Sequence, residues 1–209
     1  MSDASPQVVV DSDRLGEWIR ERSRHHARFL FGLAGSPGSG KSTLARRLAD
    51  DLDAPLVPMD GFHLPNAALD ERGLRSVKGS PHTFDCDGFV AAMRLLRSGT
   101  DVSLPTFDRV TDEPEPDSLQ VDGTATVVLV EGNYLLLESP PWRELTSIFA
   151  AVGHLQVEHD VRVRRLIDRH VAYGKRPDDA RHFVATSDEV NAERVEAVRH
   201  RADLIVSGT

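Results

Sequence analysis

Residues 35 to 42 read Gly35-Ser36-Pro37-Gly38-Ser39-Gly40-Lys41-Ser42. Glycines stand at the first and sixth positions, and a lysine and a hydroxyl residue follow. A loop of this kind turns its backbone N–H groups toward the α- and β-phosphates of a nucleoside triphosphate. The lysine reaches the β/γ oxygens, and the hydroxyl can ligate Mg²⁺. The positions expected to cradle ATP are Gly35, Ser36, Gly38, Ser39, Gly40, Lys41, Ser42 and Thr43. The competing explanation is a chance Gly/Ser-rich turn. The flanks oppose it, because an apolar run (29–34) precedes the loop. Leu44, Leu48 and Leu52 follow at helical spacing.

A phosphate loop alone does not distinguish a kinase from a switch or a motor, so other polar residues must. Asp60 follows a short apolar run and could accept the proton of an acceptor hydroxyl. Its alternative is a turn-forming Asp-Gly pair. Glu131 closes the most β-branched run of the chain and could hold Mg²⁺ together with Ser42. Its alternative is a strand-end acid capping a turn. Arg162, Arg165 and Arg169 recur on one helix face. They could close over phosphates, or simply be solvated.

Elements must bring these residues together. The pattern predicts a leading helix capped by Ser12 and running to about Arg24, with Leu15, Trp18 and Ile19 inward. It predicts strands over 29–34 and 55–59, a helix over 87–97 and an edge strand over 102–107. Pro105 motivates the edge position, since it has no N–H for a ladder. Residues 108–122 read as an exposed acidic loop, and 62–84 as a long, aperiodic segment. A central strand follows over 124–130, then helix over 141–148 and strand over 152–157. A helix from Asp160 to Tyr173 stops near Gly174. Helix over 178–203, broken near Ser187, and a strand over 204–206 complete the chain. Alternating strands and helices mean an α/β fold with a mostly parallel central sheet. Ligands bind at the carboxyl ends of such strands. The loop, Asp60 and Glu131 all fall there.

The 209 residues suit a single domain. A net charge of −8 argues against nucleic-acid and membrane-surface partners. No apolar run approaches the roughly 20 residues of a membrane span, and the first ten residues lack a signal-peptide pattern. A cytoplasmic protein is the expectation. Cys86, the single cysteine, excludes an internal disulfide and reads as a small half-buried residue. His82 and His170 read as surface or packing histidines without zinc spacing.

The chain from about Phe29 to Val206 resembles the small-molecule kinases related to uridine kinase, phosphoribulokinase and type I pantothenate kinase. Met59-Asp60-Gly61-Phe62-His63-Leu64-Pro65-Asn66 is similar to the D-G-F-x-x-P-N segment of pantothenate kinases. Lys78 to Asp85 is similar to their K-G-x-P-x-x-x-D segment. Pro105-Thr106-Phe107-Asp108 resembles the P-x-Y-D segment of uridine kinases, and Glu131-Gly132 the strand end of both groups. The Glu131 to Leu136 stretch and Ser187-Asp188 with Asn191-Ala192 are most similar to a nucleoside/nucleotide kinase-like branch that includes fructose-transport-system kinases.

The resemblance implies a three-layer P-loop NTPase fold with a small helical lid. The lid would lie at about 160–185 and an acceptor-binding loop at about 61–85. Asp60 would be the catalytic carboxylate, with Lys41, Arg165 and Arg169 acting on the transferring group. Ser42 and Glu131 would serve Mg²⁺. His63, Asn66, Lys78, Asp85, Phe107 and Arg109 would lie near the acceptor. Lys78 would otherwise read as a solvated loop lysine. Uridine kinases place a histidine that reads the base where this chain has Asp112, and pantothenate kinases use several aromatic residues where this chain is only 6% aromatic, so the chain departs from both. The polar His63, Asn66, Asp85 and Arg109 suit a small hydroxylated metabolite, sugar- or nucleoside-like. The alternatives are a pantothenate-type kinase, or a nucleotide-binding regulator and slow NTPase with no small-molecule acceptor. A homodimer is left open.

Overall fold

The computed structural model describes residues 8–208. In chain order the elements begin with β1 (Val8–Asp11), α1 (Leu15–Ser23), β2 (Phe29–Gly35), α2 (Lys41–Leu52), β3 (Leu56–Pro58), α3 (Asn66–Glu71) and α4 (Cys86–Ser98). They continue with β4 (Val102–Asp108), β5 (Glu113–Val121), β6 (Val127–Gly132), α5 (Leu145–Ile148), β7 (Ala151–Gln156), α6 (His159–Ala172), α7 (Pro177–Phe183), α8 (Glu189–Ala197) and β8 (Leu204–Ser207). Six strands form one sheet in the order β1-β8-β7-β2-β6-β3. Every pairing in it is parallel.

All seven residues of β2 are buried because the strand is covered on both faces. Its alternate side chains feed two separate cores. Leu30 and Ala34 join Val57, Val128, Val130 and Val152 beneath Phe89, Met93 and Leu96 of α4. Phe29, Phe31 and Leu33 join Leu129, Ala151 and Leu155 beneath Leu15, Ile19, Leu44 and Leu48 of α1 and α2. Three layers follow from that division. No helix among the described residues is long and apolar enough to cross a membrane.

Several sequence expectations change. The leading helix starts at Leu15 with Arg14 before it and no side-chain cap, so Ser12 is not its cap. The second strand stops at Pro58, and Met59–Phe62 form a 3-10 turn that carries Asp60. The central strand begins at Val127 rather than Thr124. Residues 177–197 are helical without a break at Ser187; a π turn (Val184–Asp188) joins α7 to α8. Residues 108–122 are not merely a loop, and β4 is not an edge of the main sheet. β4 and β5 pair antiparallel as a separate hairpin. The ladder skips Pro105, shifting between Leu104 and Thr106, because proline has no N–H to give.

The hairpin is fastened over the segment that carries Asp60. Gly61 lies so close to β4 that a Cβ there would sit 2.1 Å from the Pro105 carbonyl oxygen, so only glycine fits. At the tip, Lys78 Nζ donates to Asn66 Oδ1 (2.7 Å), to Asp112 Oδ2 (2.9 Å) and to the Asp112 carbonyl (2.6 Å). The Asn66 backbone N–H donates to Glu113 Oε2 (2.9 Å).

Candidate active site

β2 delivers the glycine loop to the start of α2. Gly40 precedes that helix at φ 88°, no side chain caps it, and its first turn contains no acid. The unpaired N–H groups and the positive end of the helix dipole are therefore left to an anion. The Ser39 hydroxyl is buried with no hydrogen-bond partner in the loop. These observations fit the phosphates of a nucleotide.

The outer wall of the loop is pinned by Arg162 and Arg165 of the helix-face stripe and by Glu189, Glu196 and His154, which the sequence pattern did not reveal. Arg162 is 5% exposed and donates through Nη1 to the Pro37 carbonyl at 2.9 Å. Its Nη2 pairs with Glu189 at 2.9 Å. Arg165 Nη1 donates to the Ser39 carbonyl at 3.3 Å. Ser36 Oγ donates to Glu196 Oε1 at 2.5 Å. The neighbouring His154 imidazole, 3.4 Å away, holds the Glu196 carboxyl down at about 2, helped by Ser36 and opposed by burial. The base of α6 is thus docked onto the loop. Gly38, at φ 78°, makes that docking fit, since a Cβ would approach the Arg162 carbonyl oxygen at 2.7 Å and Leu166 Cγ at 2.8 Å. We expect Gly38→Ala to cost about 2–4 kcal/mol from the left-handed backbone plus the overlap, and to weaken nucleotide binding. Thermal melting and nucleotide titration read both effects; an unchanged melting temperature would show that α6 yields without cost.

A cavity of about 260 Å³ over the loop is lined by Gly38, Gly40 and Thr43 and by four arginines, Arg46, Arg109, Arg165 and Arg169. Another of about 400 Å³ runs from Gly40 and Thr43 past Arg165 to Leu155 and Gly208. It can receive the nucleoside part of a nucleotide whose phosphates lie on the loop.

Beside the loop, a third cavity of about 150 Å³ brings together Lys41, Ser42, Asp60, Lys78, Arg109, Glu131 and Arg169. Ser42 Oγ donates to Glu131 Oε1 at 3.0 Å. Glu131 is 5% exposed. Burial pushes its carboxyl pKa upward, Lys41 opposes the shift and Asp60 adds to it. Burial also lowers the Lys41 ammonium pKa, against the attraction of Glu131 and Asp60. Arg109 Nη2, reaching in from the hairpin, donates to Asp60 Oδ2 at 3.0 Å. A buried carboxylate with one hydroxyl donor fits a hard cation such as Mg²⁺ that keeps several waters. No group of three or more His, Cys, Asp or Glu capable of caging a metal exists among the described residues.

The remaining sequence candidates lie farther from this cavity. Phe107 lines an adjoining space of about 110 Å³ with Asp60, Arg109 and Arg46. His63 stacks on Phe84 at 3.9 Å and lies 5.0 Å from Phe107. Burial lowers its pKa, countered by Asp60. Asn66 and Lys78 are engaged with the hairpin tip, although Lys78 also borders the cavity. Asp85 accepts from the Gly88 N–H at 3.0 Å as the N-cap of α4. Burial pushes the Cys86 thiol up to about 11, which leaves little thiolate near neutrality. Sequence reasoning assigned no role to Asn133, Phe183, Ser187, Asp188 or Asn191, which complete the cavity wall. Only the Ser187-Asp188 and Asn191-Ala192 pattern hinted at them. His170 is no idle surface histidine, since its Nε2 meets Asp188 Oδ2 at 2.8 Å.

Comparison with known proteins agrees with this geometry. The chain is 34% identical over 95% of its length to a Schizosaccharomyces pombe protein provisionally named a uridine kinase, and spans 91% of that protein. The pantothenate kinase of Shouchella clausii is 32% identical over 66% of this chain, which spans 46% of that enzyme. The crystal structure of a protein from Silicibacter sp. TM1040, provisionally named a fructose transport system kinase, superposes with a TM-score of 0.87 at 39% identity. The match covers 94% of this chain and 98% of that one. No model of a protein family matches the chain.

Proposed function

The chain belongs to the P-loop kinases of the uridine kinase, phosphoribulokinase and pantothenate kinase group, and from that premise we propose that it transfers the γ-phosphoryl group of ATP to a hydroxyl of a small metabolite. The observation that carries this reading is the cavity of about 150 Å³ between Asp60, Lys41 and the π turn. It leaves room for a small alcohol beside the phosphate loop.

In the proposed reaction the glycine loop and the first turn of α2 bind the phosphates of ATP. Asp60 orients the acceptor O–H and takes its proton. The acceptor oxygen bonds to the γ-phosphorus as the bond to the β–γ bridging oxygen breaks, and ADP leaves. Lys41, Arg109 and Arg169 stand where negative charge develops on the transferring oxygens, and Arg165 beside them at the loop. Arg109 then has two duties: it holds Asp60 in place before the reaction and supplies positive charge during it. Ser42 and Glu131 would hold Mg²⁺, which would supply positive charge to offset that of the phosphates. Burial raises the Glu131 pKa on balance, while Lys41 and the Ser42 hydroxyl favour its charged form.

The test is ADP release with ATP and magnesium, alone and with sugars, polyols, nucleosides or pantothenate. We expect at least one acceptor class to raise ADP release by about tenfold or more over hydrolysis by water, as general-base positioning of the correct alcohol requires. The phosphorylated product is then identified by mass spectrometry. Release that no acceptor stimulates would leave a slow NTPase and defeat the kinase reading.

A further inference from the structure

The wall of the cavity facing away from the glycine loop has a chemistry of its own. The π turn (Val184–Asp188) inserts one extra residue's worth of helix between α7 and α8. Such insertions re-aim side chains and recur at functional sites. Here Ser187 and Asn191 fall four apart, and Asp188 and Asn191 three apart, so all three share one face and line the cavity. Asp188 and Asn191 are 9% and 7% exposed. Asp188 spends one carboxylate oxygen on His170 (2.8 Å); the other carries no hydrogen bond among the described residues. Asn191 accepts from Arg194 through Oδ1 (3.1 Å), which leaves its NH₂ as a donor. Across the cavity, Asn133 Oδ1 is buried without a partner. Buried polar atoms left this way are costly unless a ligand or water completes them.

The charges sort by position. Arg169 also lines the cavity over the phosphate loop. Lys41 is attracted by Glu131 and Asp60. Arg109 is paired with Asp60, and Lys78 with Asp112 at 2.9 Å. At the Asp188 end the basic side chains are His170, bonded to Asp188, and Arg194, bonded to Asn191 Oδ1 (3.1 Å), so the basic groups there already face protein acceptors. A carboxylate beside neutral amide and hydroxyl groups instead matches hydroxyls, which both donate and accept.

We propose that Asp188, with Asn133, Ser187 and Asn191, forms a subsite that selects an uncharged polyol as the acceptor and rejects carboxylated or phosphorylated ones. This rests on the kinase reading above. Asp188 accepts from one hydroxyl of the polyol while Asn191 donates to another, and Asp60 takes the hydroxyl that is phosphorylated. An acceptor carrying its own negative charge is repelled by Asp188 at short range in a poorly solvated site.

The test compares uncharged sugars and sugar alcohols with the matching aldonic acids and sugar monophosphates, and with pantothenate, in the full-length protein. The wild type should use the best uncharged polyol with kcat/KM at least about tenfold above any anionic acceptor, the cost of one misplaced charge. Asp188→Asn should raise the polyol KM about tenfold, the loss of a charge-assisted hydrogen bond, while the nucleotide Kd moves less than about twofold. The same variant should narrow the gap to the anionic acceptors. His170→Ala removes the partner of Asp188 and keeps its charge, so the acceptor ranking should persist; a ranking lost equally in both variants would make Asp188 a structural contact only. A wild-type preference for an anionic acceptor, or an unchanged polyol KM in Asp188→Asn, overturns the subsite and leaves the kinase intact. Failure of every acceptor class to stimulate ADP release overturns both.

Discussion

Asp60→Asn will keep nucleotide binding and lose acceptor-dependent turnover by about 10²–10⁴-fold, the usual worth of a positioned general base. The substitution preserves size and one acceptor oxygen, so the bond from Arg109 Nη2, 3.0 Å in the wild type, can persist. The ion pair it removes is half-exposed, with side-chain exposures of 48% and 34%. Such pairs contribute under about 1 kcal/mol, and the 3-10 turn is held independently by the contact of Gly61 with Pro105. The melting temperature should therefore stay close to wild type. The nucleotide Kd, measured with a non-hydrolysable analogue, should change little, because in the proposed reading the glycine loop and not Asp60 binds the phosphates. Turnover within about threefold of wild type would remove Asp60 from the proton-transfer step, and the carboxylate would then be a holder for Arg109 alone.

Lys41→Ala should damage two steps at once. The ammonium sits between Glu131 and Asp60 at the first residue of α2. Its loss takes away a charge-assisted contact to the phosphates, worth about 10- to 100-fold in nucleotide affinity. It also removes stabilisation of the developing charge, for about a further 10²–10³-fold in kcat. The variant has a second consequence that a surface lysine would not produce. Glu131 loses the charge that most opposes its burial, so its carboxyl takes up a proton at higher pH than in the wild type. Retention of that proton weakens a divalent cation at Ser42 and Glu131, and the magnesium concentration for half-maximal turnover should rise as pH falls. Titration of residual activity with magnesium at two pH values checks this. Equal magnesium requirements at both would separate Lys41 from the proposed metal role of Glu131.

What the sequence discloses and what it conceals divide along physical lines. β2, the glycine loop and α2 are legible because the motif works only between a buried strand and a helix, and both flanks are strongly patterned. The parallel sheet is legible for the same reason: doubly covered strands such as Val127–Gly132 are continuous apolar runs. β5 is hidden by its composition. Glu-Pro-Glu-Pro-Asp reads as loop, yet a hairpin lying outside the sheet needs only some inward residues, here Leu119 and Val121 near Leu104 and Val102. β1 is a four-residue edge strand whose partner lies at the far end of the chain, Val8 to Asp11 against Leu204 to Ser207. No local signal could show that pairing.

The site divides likewise. Lys41, Ser42, Asp60 and Glu131 sit at strand ends and helix starts, so topology alone gathers them. Asn133 and Asp188 belong to elements far apart in sequence, and their shared cavity depends on a π turn that no periodicity announces. Lys78 and Asn66 carry family-like spacing, but their hydrogen bonds run to Asp112 and Glu113. Asp85 likewise earns its place by capping α4. For these three, a motif position is in part a structural fastening.

The hairpin of β4 and β5 hydrogen-bonds to no strand of the six-stranded sheet. It is held to the body by Val102, Leu104 and Val121 in the core beneath α4, by the contact of Gly61 with Pro105 and by the Lys78 clasp. It nevertheless carries Arg109 and Phe107 to the cavity beside Asp60 and Glu131. Under the proposed kinase reading, ribbons of a different length or sequence on the same anchors would change the acceptor while the phosphate loop stayed untouched.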